Sequence, residues 1–387
     1  MRILMFYPGD TDELPPLLTS AACMANEGAI VRVFSSSSSP ECSKYLREHR
    51  VQVSVQGNSR SPRSRLKRFA VRANLGARLL REIRGFRPDC IWYHSHDAMK
   101  YGLVPGALRS KLLVAHAHEM CDNFPLLRRI QSIILRTADL VITPEINRAW
   151  ILKQQARTDA PFFIVPNRQL EDMYPDPLEG AITQAIYLEN GGALSCKRFL
   201  LYQGAFFRDR CIPEIVQAFR MLKDPQTGLI LLGYDPYSAR NRAMIPLAEG
   251  DNRIVFVPRL APPRHMLVTK GSFGGILCYA PRSLNNVYCA PNKLFEYAQY
   301  GLGLVLPDYP GIAAINQEYG LGYVCNPLEP TSILQAMSKL LSEPAATYRI
   351  NSKRFLDRTP KPENVYSRIY ASLLGLLQGR MEGCGDI

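Results

Sequence analysis

The feature that most constrains this chain is an alternation that occurs twice. Short apolar runs of strand length are separated by longer amphipathic stretches. In the first half the runs fall at residues 3–7, 30–35, 51–55, 90–93, 112–115, 140–143 and 162–165. Each is rich in β-branched or aromatic residues, which is the composition of a buried strand. Between them lie helix-like segments such as 13–26, 66–85 and 128–137. Strand, helix, strand repeated in this way predicts a parallel sheet covered by helices on both faces. Right-handed crossovers then give a doubly wound, Rossmann-like domain. The pattern lapses over 175–197, which contains Pro175, Pro177 and Gly191-Gly192, and reads as an interdomain linker. It restarts with runs at 199–203, 229–232, 254–257, 275–279, 302–306 and 322–325. A chain of 387 residues suits two such domains.

The fold class predicted is therefore α/β, with two Rossmann-like doubly wound domains facing across a cleft. The first spans 1–174 and the second 198–360. Residues 361–378, after Pro360, are expected to form a helix packing back across both, followed by a disordered tail from Gly379. The serine run 35–39 reads as a loop. Ligands of open α/β sheets bind beyond the carboxyl ends of the strands, so residues just after strands carry the functional argument.

Charge narrows the partners. Lys and Arg outnumber Asp and Glu by 47 to 34, a net charge of +13. That favours nucleic acid, phosphorylated small molecules or an anionic membrane surface. Ten basic residues lie between Arg60 and Arg87, with Glu82 the one acid and an apolar side formed by Leu66, Phe69, Leu75, Leu79, Leu80 and Ile83. Such a helix reads either as a membrane-surface element or as a sheet-covering helix with a solvated outer face. No reader motif or stacking aromatic run accompanies the arginines, so nucleic acid is not expected. The ten cysteines form no C-x-x-C pair, and the first apolar run is too short for a signal peptide. The expected location is cytoplasmic, with a peripheral position on the inner membrane face.

Beside that basic stretch, four constellations carry chemistry. The segment from Asn285 to Gly301 contains Pro291-Asn-Lys-Leu-Phe-Glu296, and it predicts a helix whose first amides lack partners and attract an anion such as a diphosphate. Asn292 and Glu296 share a face, Lys293 and Glu296 are neighbours, and the Glu296 carboxylate suits two ribose hydroxyls. The bland reading is an ordinary first-turn ion pair. The segment from Leu201 to Pro213 gives a strand, a turn at Gly204, then Arg208 and Arg210, placed to neutralise a phosphate. Its bland reading is a solvated loop with Arg208 paired to an acid. Four of six histidines fall in His94-Ser-His96-Asp97 and His116-Ala-His118-Glu119, each H-x-H following a strand. An H-x-H on a strand can present both rings to one metal, although one functional and three structural histidines would give the same pattern. Asp10-Thr-Asp12 reads as a turn and helix cap rather than a cation site. Gly9, before it, is placed to abut substrate phosphates.

These residues resemble the nucleotide-sugar glycosyltransferases of the GT-B fold, in particular the group 1 (family 4) enzymes. Pro291-Asn-Lys-Leu-Phe-Glu-Tyr-Ala-Gln-Tyr-Gly301 is similar to that family's donor pattern, and the stretches Asp89 to Asp97, His118-Glu119, Ala138 to Thr143, Val165 to Asn167 and Gln203 to Arg210 resemble other family signals. The resemblance implies that Glu296 binds the donor ribose. Asn292, Lys293 and Leu294 would meet the sugar or diphosphate, partly through backbone, while Arg208 and Arg210 neutralise the leaving diphosphate and His118 touches the transferred sugar. Gly9, Gly204 and Asn286 join the nucleotide-sugar site. The sequence departs from the family at Tyr288, where a first glutamate often stands eight residues before Glu296, and at Arg210-Cys211.

The expected function is a metal-independent, retaining transfer of a sugar from a nucleoside diphosphate sugar to a lipid-linked or polysaccharide-precursor acceptor, such as a capsule or O-antigen precursor. No cofactor beyond the donor substrate is expected. Two rivals are a metal-dependent hydrolase using the His94/His96 and His116/His118 pairs, and a non-catalytic nucleotide-sugar-binding protein.

Overall fold

A computed structural model describes residues 1–57, 65–103, 111–174, 180–260 and 262–382. The chain divides into two units, Met1–Leu170 with Pro360–Ile387, and Glu171–Thr359.

The first unit runs through β1 (Arg2–Asp10), α1 (Pro15–Asn26), β2 (Ile30–Ser37), α2 (Pro40–Glu48), β3 (Gln52–Val55) and α3 (Arg65–Phe86). It continues with β4 (Cys90–His94), α4 (Ser95–Met99), β5 (Leu112–His116), α5 (Pro125–Thr137), β6 (Leu140–Thr143), α6 (Ile146–Ala156) and β7 (Phe162–Ile164). All pairings are parallel, in the order β3-β2-β1-β4-β5-β6-β7. Ile3, Leu4, Met5 and Phe6 of β1 are all fully buried, on both faces. A strand with helices above and below has no solvated side, which is why its sequence is apolar without alternation.

Local chemistry sets the ends of these elements. Asp10 closes the turn after β1 by accepting from the Asp12 amide at 3.0 Å, the cap expected of that D-x-D. Only Ser38 and Ser39 of the serine run are loop. β2 continues through Ser37, Ser36 Oγ donates to the Pro8 carbonyl at 2.7 Å, and Ser39 Oγ accepts from the Cys42 amide at 3.1 Å to open α2. On α3, Leu75, Leu79, Ile83 and Phe86 recur at helical spacing and are buried, while Arg81, Arg84 and Arg87 are exposed. The described part of the basic stretch is thus a helix packed on the first unit with a solvated basic face. Arg60 and Arg63 lie outside the described residues, as do the side chains of Arg65, Lys67, Arg68 and Arg72.

The second unit opens with α7 (Thr183–Glu189), so the stretch read as a linker contains a helix. Tyr187 anchors it, fully buried with its ring 4.8 Å from that of Phe199. Then follow β8 (Arg198–Gln203), α8 (Ile212–Met221), β9 (Thr227–Tyr234), α9 (Ala239–Arg242), β10 (Ile254–Pro258), α10 (His265–Lys270) and β11 (Gly274–Ile276). The unit closes with α11 (Leu284–Val287), α12 (Asn292–Gln299), β12 (Gly303–Pro307), α13 (Pro310–Tyr319), β13 (Gly322–Cys325), α14 (Pro330–Ser342) and α15 (Ala345–Arg358). Its sheet is also parallel, in the order β10-β9-β8-β11-β12-β13. Leu200 and Tyr202 enter the core on one face, Phe199 and Leu201 the core on the other, as the two-residue period of a strand requires.

The last helix, α16 (Pro362–Glu382), belongs to the first unit and packs on α1 and β5. Tyr366 is fully buried beside Trp92, and Arg380 pairs with Asp139. The helix continues past Gly379, where a disordered tail was expected, and residues 383–387 lie outside the described ones. In both sheets the strand order reverses beside the first strand, at β1/β4 and at β8/β11, which is where open α/β sheets hold their ligands.

Candidate functional site

In the second unit the reversal point is built from the end of β8, the loop after it, and α12. Gly204 follows β8 with φ +125°, a conformation open to glycine and strained for other residues, and donates its amide to the Leu232 carbonyl at 2.9 Å. A Cβ there would lie 3.4 Å from Lys293 Nζ, so the lysine head lies directly beneath the turn. Lys293 leaves the first turn of α12 and points inward. Its ammonium sits 4.1 Å from the Tyr202 ring centre and 5.2 Å from that of Tyr279. It is buried without a hydrogen-bond partner among the described residues. Burial first, and the nearby Arg210 guanidinium second, pull its pKa down from 10.5 to about 7, against the pull of Glu296.

Arg210 lies 4.7 Å from the Tyr279 ring centre and pairs with Asp209 at 2.9 Å. Two cations therefore border one aromatic ring. Arg208, on the same loop, is exposed. Glu296 is buried, accepts from Gln203 Nε2 at 2.5 Å, and lies 3.8 Å from His265 Nε2. Gln203 is itself held by Thr269 Oγ1, which donates to its Oε1 at 2.7 Å. Asn292 opens α12, which has no side-chain cap, and Leu294 is buried in the core, leaving only its backbone to face a ligand. The Leu294 amide turns back to the Pro291 carbonyl at 3.1 Å. Asn286 commits both amide hydrogens internally, to Asp209 Oδ2 at 2.8 Å and the Ala280 carbonyl at 2.9 Å. It braces the arginine loop. Tyr288, at the position of the family's first glutamate, ends α11. Gln203, Thr269, Tyr202 and Tyr279 were not singled out from the sequence. The one signal for Gln203, Tyr202 and Tyr279 is position, at or near strand ends, while Thr269 lies on α10 and carries no such signal.

In the first unit, register places His94 directly opposite His116 on neighbouring strands, with His118 two residues on. The three rings form one buried cluster. His94 Nδ1 and His118 Nε2 are 3.1 Å apart, and the His116 and His118 rings stack at 3.8 Å. Burial drives all three pKa values down, with that of His118 at about 3 under the added influence of Arg148, so the rings are neutral. Arg148 donates from Nη1 to the His118 carbonyl at 2.5 Å. His96 does not join them. β4 ends at His94, Ser95 adopts φ +70°, and His96 turns onto α4 beside Asp97, 3.6 Å away. The expected H-x-H pairs are thus replaced by a set of His94, His116 and His118, each offering a nitrogen within 4.8 Å of the others. Two imidazoles on one tetrahedral zinc, with bonds of about 2.0–2.1 Å, hold their ring centres roughly 5 Å apart. The 3.8 Å stack of His116 on His118 fits ring packing better than a shared ion. Gly9 is covered by its own neighbour, since a Cβ there would lie 2.7 Å from the Tyr7 ring. The Tyr7 hydroxyl pKa is raised by burial and by the acids Glu13, Asp97, Glu119 and Asp10.

No protein-family model and no curated protein matches the sequence. Solved structures match over almost the whole chain. The Anabaena protein HepE, solved with UDP and glucose, is 15% identical over 97% of this chain and 100% of its own, with a TM-score of 0.74. The sucrose-phosphate synthase of Thermosynechococcus elongatus is 16% identical over 98% and 100%, also at 0.74. WaaG, a glycosyltransferase involved in lipopolysaccharide biosynthesis, is 14% identical over 97% and 100%, at 0.69. The chain has the fold of these proteins, the GT-B fold of two Rossmann-like units.

Proposed function

We propose that the chain is a glycosyltransferase that takes a sugar from a nucleoside diphosphate sugar. One observation carries the reading. Lys293 holds a buried ammonium with no hydrogen-bond partner among the described residues, beneath Gly204, beside Arg210, at the reversal point of the second sheet. A cation stripped of water and of partners favours an incoming anion, and the adjacent helix start adds partial positive charge. A diphosphate fits that need. HepE, solved with UDP-glucose, supports a UDP sugar as the donor.

In this reading Glu296 accepts from the ribose hydroxyls, held by Gln203. Lys293, Arg210 and Arg208 stabilise charge on the departing diphosphate, while Gly204, Asn292 and the Leu294 backbone let it approach α12. Asn286 supports that loop from behind. The bond from the anomeric carbon to the phosphate oxygen breaks, and its electron pair leaves with the diphosphate. A bond to the acceptor oxygen forms as the acceptor hydroxyl passes its proton to the departing diphosphate oxygen. Positioned cations at the leaving group are the largest expected contribution to rate. His118 meets the transferred sugar, and Gly9 lies at the corresponding edge of the first unit. The acceptor is a lipid-linked or polysaccharide precursor, transfer retains configuration, and no metal takes part. The +13 charge supports a peripheral place at an anionic membrane. Among the described residues no helix is long and apolar enough to cross one.

The test is thermal shift and calorimetric titration against a panel of nucleoside diphosphate sugars, with chelator present, followed by a donor-hydrolysis and transfer assay. Binding of one donor, lost in Glu296→Ala with the fold intact, is the expected result. Wild-type turnover in Glu296→Ala would remove the donor site from α12. Donor binding with no turnover against any acceptor would favour a nucleotide-sugar-binding protein.

A further inference from the structure

Two packed helices of the first unit put large apolar side chains into solvent. On α5, Leu126, Arg129, Ile133 and Arg136 recur at intervals of three and four and are all exposed, Leu126 at 71%. The other side of the helix, through Gln131, Ile134 and Leu135, is buried. On α6 and its C-terminal cap, Ile146, Trp150, Lys153 and Arg157 follow the same spacing, with Trp150 65% exposed, while Ala149, Leu152 and Ala156 are buried. Arg136 Nε donates to the Ala156 carbonyl at 2.5 Å, which ties the two helices side by side. Neither helix contains an acid. The two acids of the connection are engaged elsewhere, since Asp139 pairs with Arg380 and Glu145 accepts from the Arg148 amide to open α6. Asp122 and Asp159 lie beyond the outer ends of the pair. Topology adds a further basic element. The crossovers from β3 to β4, β5 to β6 and β6 to β7 run one way along the sheet, and those from β1 to β2 to β3 run the other. Right-handed connections therefore put α3, α5 and α6 on one face and α1 and α2 on the opposite one. The exposed Arg81 and Arg84 of α3 share the face with the apolar stripes.

We propose that the outer side of α5 and α6 is a docking surface for an anionic lipid bilayer. This deepens the reading of a peripheral place at an anionic membrane and rests on it. Leu126 and Trp150 enter the boundary between headgroups and acyl chains, where an amphipathic indole is at home. Arg129, Arg136 and Lys153 lie between and beside them, and their stems reach back to headgroup phosphate. A second copy of the chain fits this face poorly. In a two-fold dimer the stripe meets itself, and its cations are brought against like charge. Nucleic acid would meet the same cations but gain nothing from Leu126, Ile133 and Ile146. A bilayer accepts both kinds of side chain at the spacing at which they alternate.

The chain carries its own probe. It has two tryptophans, and Trp92 is fully buried, so a change of tryptophan emission on vesicles reads Trp150. The whole protein is titrated with phosphatidylcholine vesicles with and without phosphatidylglycerol, and with vesicles whose acyl chains are brominated, with flotation in parallel. Binding that needs phosphatidylglycerol and weakens with salt is expected, with emission shifted to the blue and quenched by the brominated chains. Leu126→Ser with Trp150→Ser should lower partition about tenfold or more, and Arg129→Gln with Lys153→Gln on the order of tenfold or more. Donor titration should be unchanged in every variant, which keeps a failure of the surface apart from a failure of the transferase reading. Wild-type protein that ignores anionic vesicles would remove the membrane reading and the proposal with it. Binding that survives Leu126→Ser with Trp150→Ser, or that leaves tryptophan emission unchanged, would overturn the proposal alone, and its loss in Arg81→Gln with Arg84→Gln would assign the membrane to α3 instead. A wild-type dimer by light scattering that the Leu126→Ser, Trp150→Ser variant dissociates would give the face to a second copy and likewise overturn the proposal.

Discussion

Lys293→Met should stabilise the empty protein and cripple it at once. A lysine is protonated in the unfolded chain at neutral pH. In the fold its pKa falls from 10.5 to about 7. Each unit is worth about 1.36 kcal/mol, so burying the charge costs roughly 5 kcal/mol below pH 7 and about 4 kcal/mol at pH 7, where half the population is neutral. The sign is the reverse of the usual salt-bridged lysine. The penalty is full below the folded pKa, shrinks as pH rises, and is gone above the unfolded value of 10.5. Methionine fills the same unbranched volume without the charge. It forfeits the contact with the Tyr202 face, worth about 0.5–2 kcal/mol. The net expectation is a gain of roughly 2–3 kcal/mol at pH 7, or on the order of 5–10 °C in the midpoint of a unit this size. Urea unfolding of both proteins at pH 6.5, 8 and 10 checks it, with donor titration alongside. The gain should be largest at pH 6.5 and close to nothing by pH 10, and donor affinity should fall by about tenfold or more. A variant less stable than wild type at pH 6.5, or a gain that does not change with pH, would refute the picture of a lysine that strains its surroundings while it waits for an anion.

Two further substitutions probe the groups around that lysine. Arg210→Ala should lower turnover by about a hundredfold, as expected for loss of one stabilising group at a leaving oxyanion, while leaving unfolding close to wild type; an unchanged turnover number in the transfer assay would separate the guanidinium from the leaving group. Gln203→Leu keeps the buried volume but strips partners from Glu296 and from the Thr269 hydroxyl, and should cost about 2–3 kcal/mol in urea unfolding and weaken donor binding; wild-type stability would mean that the network does not hold the carboxylate.

The fold was legible in the sequence because its strands are buried on both faces. An apolar run such as Ile3 to Phe6 can be read without knowing its partners, and each expected strand has a counterpart in one of the two sheets. Punctuation was legible for the same local reason. Asp10 caps, and Gly301 ends α12 at φ +67°. α7 was missed because a short helix between proline- and glycine-bearing segments owes its existence to Tyr187, whose burial against Phe199 is a tertiary fact. The candidate sites divide along the same line. Residues close in sequence stay on one element where one helix turn or one loop holds them, as with Lys293 and Glu296 on α12 or Arg208 and Arg210 on the loop after β8. Local spacing misled where the element changed under it. His94 and His96 look like partners at strand period, but β4 stops between them. The partner of His94 is His116, which only strand register reveals, and through it His118 comes within hydrogen-bond reach. Lys293 and Glu296 show the same limit within one helix. They are neighbours, yet the ammonium reaches to Tyr202 on β8 while the carboxylate takes Gln203, the next residue of that strand. Consecutive strand residues face opposite ways, so β8 draws the two charges apart through Tyr202 and Gln203. That separation leaves the lysine without a hydrogen-bond partner among the described residues, so a helix that looks self-satisfied in sequence carries a bare buried ammonium in the fold, the group on which the proposed anion site rests.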